Sequence, residues 1–297
     1  MVSTDLDTLT RFLLPAAGVR GVAVRLDETW QTVAGRLHYP AAARELLGEA
    51  VAAAALFTGH TKVDGRLSIQ LRSQGALRTL FAECTAAGTV RGIAQVQDGL
   101  DAPRDLQDLG ENALLAITIE NPGLDPREPQ RYQSLVGLQA SRLAEAFEDY
   151  FRQSEQLPTR LLLAVDERRA SGLMLQKLPG DEGDADGWNR AGALFETLGE
   201  PELLAVPTRE LLHRLFHEEA PQILTESPVR FGCSCSRERV ASMLQSLGEE
   251  EATAALADGA AEVRCEFCGQ EYRFTPSQIA ELFSLPPVDV EAPGRLQ

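Results

Sequence analysis

Runs of alternating apolar and polar residues, punctuated by glycine and proline, divide the chain into short strands and a few helical stretches. Within Val19 to Ala34, VRGVAVRL reads as a strand, and Pro40 stands where a first helical turn tolerates proline. The following AAARELLGEAVAAAALF is alanine-rich and apolar almost all round in its second half, which predicts a helix covered on most sides. GRLSIQLRS, ALRTLFAEC and TVRGIAQV are joined at Gln74-Gly75 and Ala87-Gly88, the pattern of an antiparallel meander. ALLAITIE adds a fourth strand and stops at the turn signal Asn121-Pro122-Gly123. LQASRLAEAFEDYFRQSEQ carries leucines and aromatics at helical spacing up to Pro158, after which TRLLLAVD and SGLMLQKL predict a closing strand pair.

The pattern changes after Leu178. Pro179 to Gly187 form an acidic loop, and WNRAGALFETLG, ELLAV and TRELLHRLFHEE follow as short amphipathic helices separated by Pro201, Pro207 and Pro221. Helices of this length are marginal in water, so the segment must lean on a neighbour. The organisation expected is α+β: an N-terminal mixed α/β domain with antiparallel strands at 1–178, an acidic helical linker at 179–230, and a small C-terminal four-cysteine domain at 231–297.

Length and charge narrow the class. A chain of 297 residues is ample for about two domains. Its longest apolar run, Ala50 to Phe57, is far short of the roughly 20 residues of a membrane span. With the acidic start MVSTDLDTLTRF, this predicts a cytoplasmic protein with no membrane partner. The net charge of -16 argues against a general nucleic-acid binder. The acidity is uneven: residues 1–178 hold 19 Lys+Arg against 22 Asp+Glu, whereas 179–297 hold 9 against 22.

Cysteine is equally uneven. Cys84 stands alone at the end of an apolar strand and reads as a buried, inert thiol, whereas Cys233, Cys235, Cys265 and Cys268 fall close together. Clustering of this kind in a cytosolic chain points to metal or redox chemistry. Two close pairs supply four thiolates, the number and softness that tetrahedral zinc prefers, and Gly269 suits the left-handed turn of a knuckle with EVRC and QEYRF as its strands. The single residue inside Cys233-Ser234-Cys235 makes a tighter pair than ordinary structural sites use, which suggests a role beyond metal retention. A unit of roughly 55 residues has a marginal core, while structural zinc contributes of order 10 to 16 kcal/mol to folding. Oxidation removes the ligands and should therefore unfold the unit. Local pairing would close loops of a few residues and cross-pairing would staple the halves; sequence leaves all three connectivities open. Arg230, Arg237, Arg239, Arg264 and Arg273 lie near the pairs in sequence and offset thiolate charge.

Other candidates carry less. His213 and His217 are an i, i+4 pair without the glutamate of HExxH and read as a solvated helix face; His38 and His60 read as structural. Gly59-His60-Thr61-Lys62 lacks the spacing of a phosphate loop, so no ATP site is expected. No nucleophile, base and orienter constellation supports an enzyme.

The two cysteine pairs with their 29-residue gap, set in PVRFGCSCSRERV and CEFCG followed by YRF, resemble the redox-regulated heat shock protein 33 family, the 33 kDa chaperonins. Blocks such as GEAVAAAALF, GRLSIQLRSQGALRTLFAEC, SGLMLQKLPG and LLHRLFHEE extend the likeness across nearly the whole chain. The resemblance implies an ATP-independent holdase that is inactive while reduced and bound to one Zn2+ through Cys233, Cys235, Cys265 and Cys268. On oxidation it implies disulfides joining Cys233 with Cys235 and Cys265 with Cys268, loss of zinc, unfolding of the C-terminal unit and linker, binding of unfolding client proteins, and a homodimer. Leu203, Leu204, Leu211, Leu212, Leu215 and Phe216 would then face clients while dense negative charge keeps the complex soluble. The alternative is a constitutive zinc-ribbon module binding a nucleic acid or protein partner, whose activity would require zinc and die on oxidation.

Overall fold

A computed structural model of the chain describes residues 6–123, 129–180, 184, 186–256 and 259–284. Its contacts divide it into two compact units, Met1–Gly232 and Cys233–Gln297. The first unit runs β1 (Thr8–Leu14), β2 (Val19–Leu26), α1 (Glu28–Ala34), α2 (Ala41–His60), β3 (Arg66–Arg72), β4 (Leu77–Thr85), β5 (Thr89–Val96), β6 (Leu114–Asn121) and β7 (Gln130–Val136). It continues through α3 (Leu143–Gln153), β8 (Thr159–Val165), β9 (Ala170–Lys177), α4 (Gly187–Glu196), α5 (Glu200–Ala205), α6 (Thr208–Phe216), β10 (Gln222–Pro228) and β11 (Arg230–Phe231).

Two sheets result, ordered β10-β1-β2-β9-β8 and β11-β5-β4-β3-β6-β7. Every pairing is antiparallel except that of β11 with β5. The meander over β3, β4 and β5 forms as expected, but the fourth strand, β6, joins the far side of β3. Helix α2 packs against β1, β2, β8 and β9 of one sheet and β3, β4 and β5 of the other. Its run Ala50 to Leu56 is fully buried, because small side chains let a helix approach two sheets at once. Gly172 in β9 serves the same closeness: a Cβ there would stand 2.6 Å from Leu56 Cδ1.

The other face of the β1-containing sheet is also covered. Alternation along β1, β2 and β9 places Phe12, Leu14, Val19, Ala23, Leu173 and Leu175 there, against Phe195, Leu203, Leu211, Leu212, Leu215 and Phe216 of α4 to α6. The segment expected at 179–230 thus contributes three helices to a sheet face of the first unit and strands β10 and β11 to an edge of each sheet. Of its acidic loop, residues 181–183 and 185 lie outside the described residues.

Polar clusters also sit inside this unit. Arg25 Nη1 donates to Val206 O at 2.9 Å and Arg169 donates to Leu204 O, so two guanidiniums satisfy carbonyls at the end of α5. The buried Asp27 carboxylate holds both arginines, with Arg169 Nε at 2.8 Å and Arg25 Nε at 3.4 Å. His60, buried at the end of α2, accepts from Arg20 Nη2 at 3.0 Å, and Gln176 Nε2 donates to Thr159 Oγ1 at 3.1 Å beside it. Glu49, buried in mid-α2, pairs with Arg104, which also reaches Glu45.

The second unit comprises α7 (Arg237–Leu247), α8 (Glu249–Ala254), the hairpin β12 (Ala261–Arg264) and β13 (Glu271–Phe274), and α9 (Pro276–Ser284). Its core consists of Val240, Leu244, Ala252, Ala261, Phe274 and Ile279. Arg237 braces it, with its guanidinium 4.2 Å above the Phe274 ring and hydrogen bonds to Arg273 O and Gln278 Oε1, both at 2.9 Å.

Candidate metal centre

Cys233 and Cys235 precede α7, whose first turn is capped by Ser236 Oγ accepting from Arg239 N at 3.3 Å. Arg239 Nη1 donates back to Ser234 O at 2.8 Å and so fixes the peptide between the two cysteines. Cys265 and Cys268 occupy the turn of the β12–β13 hairpin. There Cys265 N donates to Gln270 O at 2.9 Å and Gly269 N to Cys265 O at 2.7 Å. Gly269 has φ +71°, the left-handed conformation expected of it.

These two loops bring the four sulfurs within 4.8 Å of one another, each cysteine partly buried. Cys233 Sγ lies 3.7 Å from Cys265 Sγ, and Cys235 Sγ 3.3 Å from Cys268 Sγ. A tetrahedral ion with metal–sulfur bonds of about 2.3 Å has sulfur–sulfur edges of roughly 3.8 Å, so the cluster has the size and the soft donor set of a metal site. Among the described residues it is the one group of three or more His, Cys, Asp or Glu side chains of this kind. The two close contacts run across the halves, but every pair in a tetrahedron is an edge, and they select no disulfide pairing.

The sulfurs are not equivalent. Burial works against ionisation of Cys235, yet the hydrogen bond from the Tyr272 hydroxyl at 3.1 Å and the neighbouring thiols outweigh it and bring that thiol down to about 7. Burial pushes Cys268 up to about 12, reinforced by the surrounding sulfurs, and raises Cys233. The same hydrogen bond to Cys235 pushes the Tyr272 phenol up to about 12. In the sequence Tyr272 stands out only as part of the strand QEYRF; its signal is its place on β13, opposite Val263 and four residues past Cys268.

The remaining candidates fall elsewhere. Cys84 is buried and its thiol pushed up to about 11 by that burial, consistent with an inert group. His213 on α6 and His217 just past its end are exposed with ring centroids 5.7 Å apart, and His38 is exposed. Of the five arginines, Arg239 supports the cysteine loop, Arg237 the core and Arg264 lies close to Gly269; Arg273 pairs with Glu262 at 3.8 Å, and Arg230 belongs to the first unit.

A family model described as Hsp33 protein matches residues 7–275. The 33 kDa chaperonin of Ectopseudomonas mendocina (strain ymp) is 43% identical over 286 residues, covering 94% of this chain and 95% of its own. That of Chromobacterium violaceum is 40% identical over 290 residues, covering 97% of each. The crystal structure of the 33 kDa chaperonin (heat shock protein 33 homolog) from Thermotoga maritima matches with a TM-score of 0.78 at 22% identity, covering 94% of this chain and 98% of that one, a likeness of fold.

Proposed function

The chain belongs to the Hsp33 family, a family of chaperones, and from that premise we propose that it is a redox-regulated, ATP-independent holdase whose reduced form is inactive. Cys233, Cys235, Cys265 and Cys268 are the ligands of one Zn2+, which when bound cross-links the loop before α7 to the β12–β13 turn. The observation that carries this reading is the cluster of four sulfurs within 4.8 Å in a unit whose core cluster, among the described residues, holds six buried apolar side chains. A core of that size is marginal, and a structural metal is the ordinary remedy.

Oxidation then acts through the ligands. Each of the pairs Cys233 with Cys235 and Cys265 with Cys268 gives two electrons to one hydrogen peroxide. A sulfur–sulfur bond forms, the oxygen–oxygen bond breaks, and two protons complete two waters. The pairing rests on the family resemblance. Disulfide sulfur is a poor ligand, so the metal leaves and the second unit unfolds. Only Gly232 separates Cys233 from β11, so loss of structure propagates along the chain toward β10 and the short helices. Their departure uncovers the apolar faces of α4 to α6 and of β1, β2 and β9, which hold unfolding clients. We place this activity in the cytoplasm and assign the oxidised form to a homodimer.

Zinc content of the reduced and the peroxide-treated protein, together with light scattering of a heat-denaturing client, tests the reading. We expect one zinc per reduced chain, its loss on oxidation, and suppression of aggregation by the oxidised form alone. An oxidised, zinc-free protein that leaves scattering unchanged overturns it.

A further inference from the structure

Tyr272 joins the two halves of the sulfur cluster. It stands on β13, the strand that follows the Cys265–Cys268 turn, yet its hydroxyl reaches Cys235 Sγ in the loop before α7, at 3.1 Å. The hairpin register opposite Val263 fixes its position along the strand. A phenol is a donor at neutral pH and a ligating thiolate an acceptor, so the contact survives metal binding in the sense required of an outer hydrogen bond to a ligand. Hydrogen bonds of this class orient ligating atoms, and their removal costs roughly 10- to 100-fold in metal affinity. A sulfur lone pair engaged by O–H is also less available for attack on an electrophile.

We propose that Tyr272 is a positioning residue for the cluster: its hydroxyl holds Cys235 Sγ in the metal-binding arrangement and restrains that sulfur's reaction with peroxide. The O–H···S contact therefore sets the threshold at which the switch opens. The step it restrains is displacement of hydroxide from hydrogen peroxide by the Cys235 thiolate. The oxygen–oxygen bond breaks as the sulfenic acid forms; a second thiol then makes the disulfide and releases water. This inference rests on reading the cluster as a zinc site.

The test compares full-length, reduced, zinc-loaded protein with Tyr272→Phe, which keeps the ring and removes the hydroxyl. Zinc affinity is read by competition with a chromogenic chelator. Oxidation of each cysteine by hydrogen peroxide is read by differential alkylation and mass spectrometry, with Cys265 as internal reference. We expect zinc affinity to fall roughly 10- to 100-fold and Cys235 to react several-fold faster relative to Cys265. Wild-type retention and an unchanged Cys235 to Cys265 rate ratio in Tyr272→Phe overturn the role of Tyr272 while leaving the chaperone reading standing. Circular dichroism at saturating zinc covers the remaining case: a variant that fails to fold there assigns the hydroxyl to structure and likewise overturns the proposal. A wild-type protein that binds no zinc removes both.

Discussion

Two buried ionisable residues give the first unit opposing responses to pH. His60 is held down at about 4, first by burial and then by the charges of Arg20 and Arg11. The unfolded chain, with a histidine near 6.5, takes up the proton first, so stability is lost as pH falls from about 6.5 to 4, by roughly 3 kcal/mol in all. Glu49 is raised to about 7 by burial, against the pull of Arg104. Its stability is fully present below about 4.5 and lost as pH rises toward 7, by a similar roughly 3 kcal/mol. Both tryptophans, Trp30 and Trp188, belong to the first unit, so their fluorescence in urea isolates it. Wild type should lose stability relative to His60→Gln on acidification and relative to Glu49→Gln on alkalinisation; parallel curves would contradict both. At this scale sequence was informative where chemistry depends on spacing: the four cysteines and Gly269 declare themselves. It reads His60 as structural without its partners and does not single out Tyr272 or Glu49, because their roles come from residues distant along the chain.

Helix α5 shows what holds a short element in place. Six residues cannot sustain a helix in water, and its terminal carbonyls at Leu204 and Val206 are met by Arg169 and Arg25, themselves bound to Asp27. Arg169→Ala leaves Asp27 short of a partner in a buried setting. It should destabilise the docked helix by roughly 3 kcal/mol, seen as faster amide exchange over residues 200–206 in the reduced protein. Unchanged protection there would show that apolar packing alone docks α5. Central elements were legible for a reason visible in their side chains: α2 and β2 to β6 bury enough to pattern the sequence. Strands β7 and β10 escaped notice because most of their side chains are exposed and their backbones do the pairing; their signal is a ladder, which leaves little trace in composition.

The two units differ in how their stability is composed, and the difference can be measured. The first has a core spanning both sheets and α2, the second a few apolar residues beside four thiols. Chelation of the reduced protein should therefore abolish amide protection in β12, β13 and α7 while leaving α2 and β3 to β6 protected. Equal loss in both would mean that the units do not fold separately. Topology carries a last consequence, for synthesis. Thr8 of β1 is made well before its partner Pro228 of β10, and the helices that cover Phe12 and Leu14 are made only shortly before that partner. While the residues between them are made, β1 therefore waits with one edge unpaired and one apolar face bare. Each newborn copy must therefore pass through a form with that edge and face open, and closes it only when residues 187–228 have been made and folded back.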